Sequence, residues 1–126
     1  MIIENMSHNK ILATKAQIAN TFFTRLKGLL GTKKLDKGKA LVIRPCNSIH
    51  TIGMNYDIDV LFVDSSDNVI KVINKMPASR FSLCPKSFYV IELPAGTIEA
   101  TGTVAGDKIS LTGDSNMLKN TYNFKI

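Results

Sequence analysis

Four consecutive apolar residues, Val60-Leu61-Phe62-Val63, stand between Asp57 and Asp59 on one side and Asp64 on the other. The run is far shorter than the ~20 residues a membrane-spanning helix needs. It lacks helical periodicity, and it is rich in β-branched and aromatic residues. Asp57 to Asp64 therefore reads as a buried strand, the strongest in the chain. The polar stretch Asp64-Ser-Ser-Asp-Asn68 then supplies a turn into a second strand, Val69 to Ile73, and the two are expected to form a hairpin.

The remaining segments fit around that hairpin. Lys10 to Ile18 alternates loosely and reads as a strand. Asn20 or Thr21 can cap a helix in which Phe22, Phe23, Leu26, Leu29 and Leu30 form one apolar face, with Gly31 at the position after its end. Gly28 inside this helix costs about 1 kcal/mol relative to Ala, which points to close packing against another backbone. Ala40 to Arg44 is a short strand stopped by Pro45, and Ser48 to Met54 is extended. Met76 to Lys86 reads as a loop because its two prolines remove ladder donors. Phe88 to Leu93 and Lys108 to Leu111 are strands, with a single helical turn expected around Thr97 to Ala100.

Six to seven short strands and one N-terminal amphipathic helix define a mainly β (α+β) class. The expected architecture is a small antiparallel barrel or half-barrel with the helix packed on it, and no βαβ alternation is expected. At 126 residues the chain is one domain. Residues 1–10 are expected to be an N-terminal extension, frayed or a short edge strand, 11–113 the domain, and 114–126 an edge strand or tail.

The net charge of +6 raises the question of nucleic acid. Only three of the sixteen basic residues are arginines (Arg25, Arg44, Arg80), and most lysines are scattered. Planar, bidentate recognition of bases and phosphates favours Arg, so nucleic acid is not the expected partner. No segment has a signal-peptide pattern or membrane-span length, and cytoplasmic location is the expectation. Two cysteines in such a chain read as reduced thiols.

Chemistry-bearing residues concentrate between Arg44 and Asp64. On an extended strand Cys46 and His50 share a face but lie about 13 Å apart, too far for a nucleophile to reach its base. A metal site needs further ligands, and Cys84 and His8 stand alone elsewhere, so neither a metal nor a cofactor is expected. Asp59 enters an otherwise apolar run and requires a partner, for which Arg25 and Arg44 are candidates. Glu92 alternates with Ile91 and Leu93, so it faces either solvent or a cleft shared with His50 and Asp59.

Several of these segments occur in one order: Arg25-Leu-Lys-Gly28-Leu29-Leu30-Gly31, Ser48-Ile-His50-Thr51-Ile-Gly-Met54, Ile58-Asp59-Val60-Leu61-Phe62-Val63-Asp64, Val90-Ile-Glu92-Leu93-Pro94-Ala95-Gly96 and Gly106-Asp107. Over residues 11–112 this set resembles the domain of unknown function 192 family. The resemblance implies a compact barrel-like β fold with one helix and no established activity, substrate or cofactor. It also implies members often exported behind a signal peptide, and a basic residue where Asn55 stands here.

The leading expectation is a non-enzymatic binding or accessory module with a polar cleft near His50 and Asp59. Candidate ligand-binding residues are His50, Thr51, Asp59, Glu92 and Arg25. The alternatives are a small hydrolase or thiol enzyme using Cys46 and His50, and a purely structural or interaction domain. The expected partner is a small molecule or a protein, and the expected state is a monomer or weak dimer.

Overall fold

The computed structural model describes residues 1–113, without the side chains of Phe22 and Phe23. The expected C-terminal edge strand or tail, and those two members of the helix face, lie outside the described residues. The elements are β1 (Ile2–Asn5), β2 (Lys10–Ala13), β3 (Lys15–Ala19), α1 (Phe22–Lys27), β4 (Lys39–Ile43), β5 (Ser48–His50), β6 (Ile58–Val63), β7 (Val69–Met76), β8 (Phe81–Leu83), β9 (Tyr89–Pro94), α2 (Thr97–Thr101) and β10 (Ile109–Thr112). They form a five-stranded sheet in the order β3-β4-β9-β6-β7, a three-stranded sheet β10-β1-β2 and a two-stranded ribbon β5-β8. The protein is mainly β as expected, but the described strands form several sheets and no closed barrel.

Every residue of β6 is buried, because β7 and β9 flank it and apolar clusters cover both faces of its sheet. A strand covered twice has no reason to alternate, which explains the uninterrupted apolar run. Leu61, Val63, Ile91 and Leu93 pack with Ile3, Leu12 and Ile98 on one face. Val60, Phe62 and Val90 pack with Leu29, Ile49 and Met54 on the other. The first face is covered by the three-stranded sheet and α2, the second by the segment after α1 and by the β5-β8 ribbon.

Several expectations are corrected by long-range pairing. Residues 1–10 are not an extension: β1 is the middle strand of its sheet, paired with β2 and β10, and Ile3 is fully buried. Asn5 Nδ2 bonds Asp107 at 2.9 Å and Thr103 at 3.1 Å, and His8 Nε2 lies 3.0 Å from Asp107. These partners are about a hundred residues away in the chain, so local patterning could not show them. The segment Lys10 to Ile18 is two strands in two sheets. The chain turns at Thr14, where the amides of Thr14 and Lys15 both donate to the Gly38 carbonyl at 2.9 Å. β3 and β4 pair in parallel across α1, so one βαβ crossover exists where none was expected. The loop from Met76 to Lys86 holds β8, which pairs with β5. The β6-β7 hairpin, the turn of helix at Thr97 and the strand after Lys108 form as expected.

The expected N-terminal helix is shorter than its apolar spacing suggested. Thr21 caps it, its hydroxyl accepting the Thr24 amide at 3.1 Å, and it ends at Gly28 rather than Gly31. Gly28 takes a left-handed φ of 49°, a conformation open to glycine and strained for other residues. Leu29 is therefore buried from a turn, while Leu26, on the helix itself, is exposed.

Candidate functional site

Alternation along β9 puts Ile91 and Leu93 into one core and Glu92 into the other. Its register partners on the neighbouring strands are Leu41 and Val60, both apolar. The Glu92 side chain is 3% exposed, and among the described residues its Oε1 has no hydrogen-bond partner. Burial pushes its pKa up to about 7.

Glu92 borders a cavity of about 380 Å³. One wall is the end of α1 and the turn that follows, Arg25 through Leu30; the other is the extended segment from Pro45 to His50, with Ile43 and Met54 between them. Gly28, on the first wall, is required by its left-handed φ rather than by lack of space. A Cβ built there would lie 3.9 Å from Glu92 Oε1 and 4.0 Å from Ile43 Cδ1. These are ordinary contact distances, so the close backbone packing expected at Gly28 is not found, and its left-handed φ, which makes the turn, is what calls for glycine.

Of the residues singled out from the sequence, Arg25, Cys46, His50 and Glu92 border this cavity. Arg25 is on the exposed side of α1, where its Nη1 donates to the Pro45 carbonyl at 3.2 Å and its Nε to Thr21 at 3.4 Å. His50 is exposed at the end of β5. Cys46 is partly buried, and its thiol donates to the Ser48 carbonyl at 3.0 Å. Burial raises the thiol pKa, the Ser48 bond opposes this, Glu92 adds to the rise and Arg25 counters it. The net result keeps the sulfur protonated, the opposite of what an activated nucleophile needs.

Thr51 and Asp59 are elsewhere. The Thr51 hydroxyl donates to the Pro77 carbonyl at 2.6 Å and accepts the Arg80 amide at 2.9 Å, joining β5 to the start of β8. Asp59 is fully buried and accepts the backbone amides of Lys75 at 2.8 Å, Gly96 at 3.1 Å and Ile98 at 2.8 Å. Its partner is therefore neither Arg25 nor Arg44. The carboxylate organises the N-terminal turn of α2 and the distorted end of β7. Asp59 pairs with Leu93 and Val60 with Glu92, so the two carboxyl groups face opposite sides of one sheet. Among the described residues, no three His, Cys, Asp or Glu side chains converge as a metal site would require.

The family model for DUF192, described as an uncharacterized ACR, matches residues 3–111. The chain belongs to this family. A UPF0127 protein of Thermococcus sibiricus is 31% identical over 109 residues, covering 83% of this chain and 71% of that one. Another from Pyrococcus horikoshii is 32% identical over 113 residues, covering 86% and 96%. A crystal structure of a protein of unknown function from Novosphingobium aromaticivorans superposes with a TM-score of 0.75 at 16% identity, over 87% of this chain and 82% of that one. At 16% identity this likeness shows a shared fold. The described helices of this DUF192 chain include none long and apolar enough to cross a membrane.

Sequence reading identified Glu92 as a candidate but not its burial. The signal was present: the apolar runs of β4 and β6 imply a sheet covered on both faces. Any polar residue inside such a sheet is buried whichever way it points.

Proposed function

We propose that this domain is a non-enzymatic binding module whose cavity receives a group that donates hydrogen bonds or positive charge to Glu92. The observation that carries this reading is the carboxyl group itself, buried between Leu41 and Val60 at the cavity wall with an orphaned oxygen. A buried unpaired acceptor opposes folding by about 1–3 kcal/mol, more when charged. A buried carboxyl group whose Oε1 makes no hydrogen bond among the described residues, at a cost to folding, is the pattern expected of a group retained for function. Leu29, Ile43, Ile49 and Met54 supply apolar lining, as in most small-ligand sites, while Arg25, Lys27, Asn47, Ser48 and His50 add polar lining. The thiol-enzyme reading loses support from the protonated, hydrogen-bonded state of Cys46.

The simplest probe is n-butylammonium, which carries both a cation and an apolar stem. Amide chemical shifts of the ¹⁵N-labelled protein should move around Gly28, Ser48 and Glu92 on titration. Binding should tighten up to about tenfold from pH 6 to pH 8 as Glu92 ionises, and Glu92→Gln should abolish it while remaining folded. The reading is wrong if butylammonium moves no cavity amide at pH 8, or if Glu92→Gln binds it equally well.

A further inference from the structure

The cavity wall formed by β5 is unusual for a strand. Side chains alternate between faces, so a ligand resting on a strand face meets every second residue. Here all three consecutive residues of β5, Ser48, Ile49 and His50, border the cavity. That happens when the cavity lies along the strand's edge and meets its backbone.

The hydrogen bonds identify which groups that edge presents. Toward β8, the Asn47 carbonyl accepts the Cys84 amide at 2.8 Å and the Thr51 amide donates to the Arg80 carbonyl at 2.8 Å. Odd-numbered residues therefore spend their backbone groups on β8, and the antiparallel ladder turns those of Ser48 and His50 the other way. Among the described residues β5 has β8 as its one ladder partner. The Ser48 carbonyl takes the Cys46 thiol. The Ser48 amide and both backbone groups of His50 remain on the open edge, facing the turn after α1.

A strand edge opposite a helix end, with a buried acceptor between them, is a groove for an extended chain. Three residues of β5 offer about 10 Å of edge at about 3.4 Å per residue, enough to pair with about three residues of a peptide. Main-chain pairing of this kind supplies affinity, and a pocket for one side chain supplies specificity. The chemistry of that pocket selects the side chain. Ile43 and Met54 provide apolar surface, and Glu92, whose Oε1 has no partner among the described residues, is the carboxyl group on a lining that also carries Arg25 and Lys27. Lysine matches both, with an aliphatic stem and a terminal cation.

We infer that the cavity is a peptide groove, in which an extended lysine-containing segment of a partner protein adds as a strand to the open edge of β5 and places its ammonium group on Glu92. This rests on the reading of Glu92 as a ligand anchor and assigns the class of ligand.

The test titrates acetyl-Ala-Ala-Lys-Ala-Ala-amide into the ¹⁵N-labelled protein at pH 8. Three comparison ligands are used: the norleucine analogue, the same peptide N-methylated at the amides flanking lysine, and n-butylammonium. The lysine peptide is expected to bind at least tenfold more tightly than each of the three. Its binding should also slow solvent exchange of the Ser48 and His50 amides. Equal binding of the peptide and butylammonium, with N-methylation having no effect, would overturn strand addition and leave the cation-binding reading standing. Equal binding of lysine and norleucine peptides would remove Glu92 from recognition and overturn both. Failure of every ligand to bind would do the same.

Discussion

The substitution Glu92→Gln tests the placement of Glu92 without any knowledge of its ligand. The carboxyl group has an ordinary pKa of 4.5, raised to about 7 in the folded protein by burial. An acid with a raised native pKa holds its proton more tightly when folded. Stability is therefore greatest below pH 4.5, falls as pH rises through the interval from 4.5 to about 7, and is constant above it. At about 1.36 kcal/mol per pH unit, the full span amounts to about 3 kcal/mol, most of which falls between pH 5 and pH 8. Glutamine has nearly the same shape and does not titrate. Its amide group brings donors of its own into the same surroundings, at a cost of about 1–3 kcal/mol that does not vary with pH. Urea unfolding of both proteins at pH 5, 6, 7 and 8 gives the comparison. Every other titrating group, including the His8–Asp107 pair, is common to both and cancels. The stability of Glu92→Gln relative to wild type should rise by about 2–3 kcal/mol from pH 5 to pH 8, with the steepest change between pH 5 and pH 7. A difference constant to within about 0.5 kcal/mol across that range would show that Glu92 is hydrated or partnered, and the account of the cavity would fall with it.

Two further substitutions separate the support of the fold from the cavity. Asp59→Ala removes an acceptor from three backbone amides; with charge-assisted bonds at about 1.5–3 kcal/mol each, a loss of at least 3 kcal/mol is expected in urea unfolding. Amide shifts around Gly28 and Ser48, across the sheet, should stay in place. Deletion of residues 1–10 removes the middle strand of the β10-β1-β2 sheet and exposes the core facing Ile3. The truncated chain should show no cooperative thermal transition by circular dichroism, whereas a dispensable extension would leave the transition unchanged.

The class of the fold was legible from residues close together in the chain. The run from Asp57 to Asp64, its polar turn and Val69 beyond it specify a hairpin locally, and the ordered motifs specify the family. Cys46 and His50 could likewise be separated by strand geometry alone. Local patterning misjudged elements whose partners lie far away. β1 carries no clear alternation because its stability comes from β10, and β8 sits among prolines but gains a ladder from β5. The helix stops early because Gly28 turns, which its neighbours' apolar spacing does not reveal.

The site divides in the same way. The sequence by itself determined that Asp59 and Glu92 are carboxyl groups within apolar strands, Asp59 in need of a partner and Glu92 facing either solvent or a cleft. Only the tertiary structure decided which of them receives one. The β6-β9 register sets Asp59 toward α2, where three backbone amides meet it. The same register sets Glu92 one residue out of step, toward the cavity beside Gly28 and β5, where none does. The reason is that side chains reverse face at every residue of a strand. Two acidic residues that look alike in sequence thus enter different cores once their strands are paired.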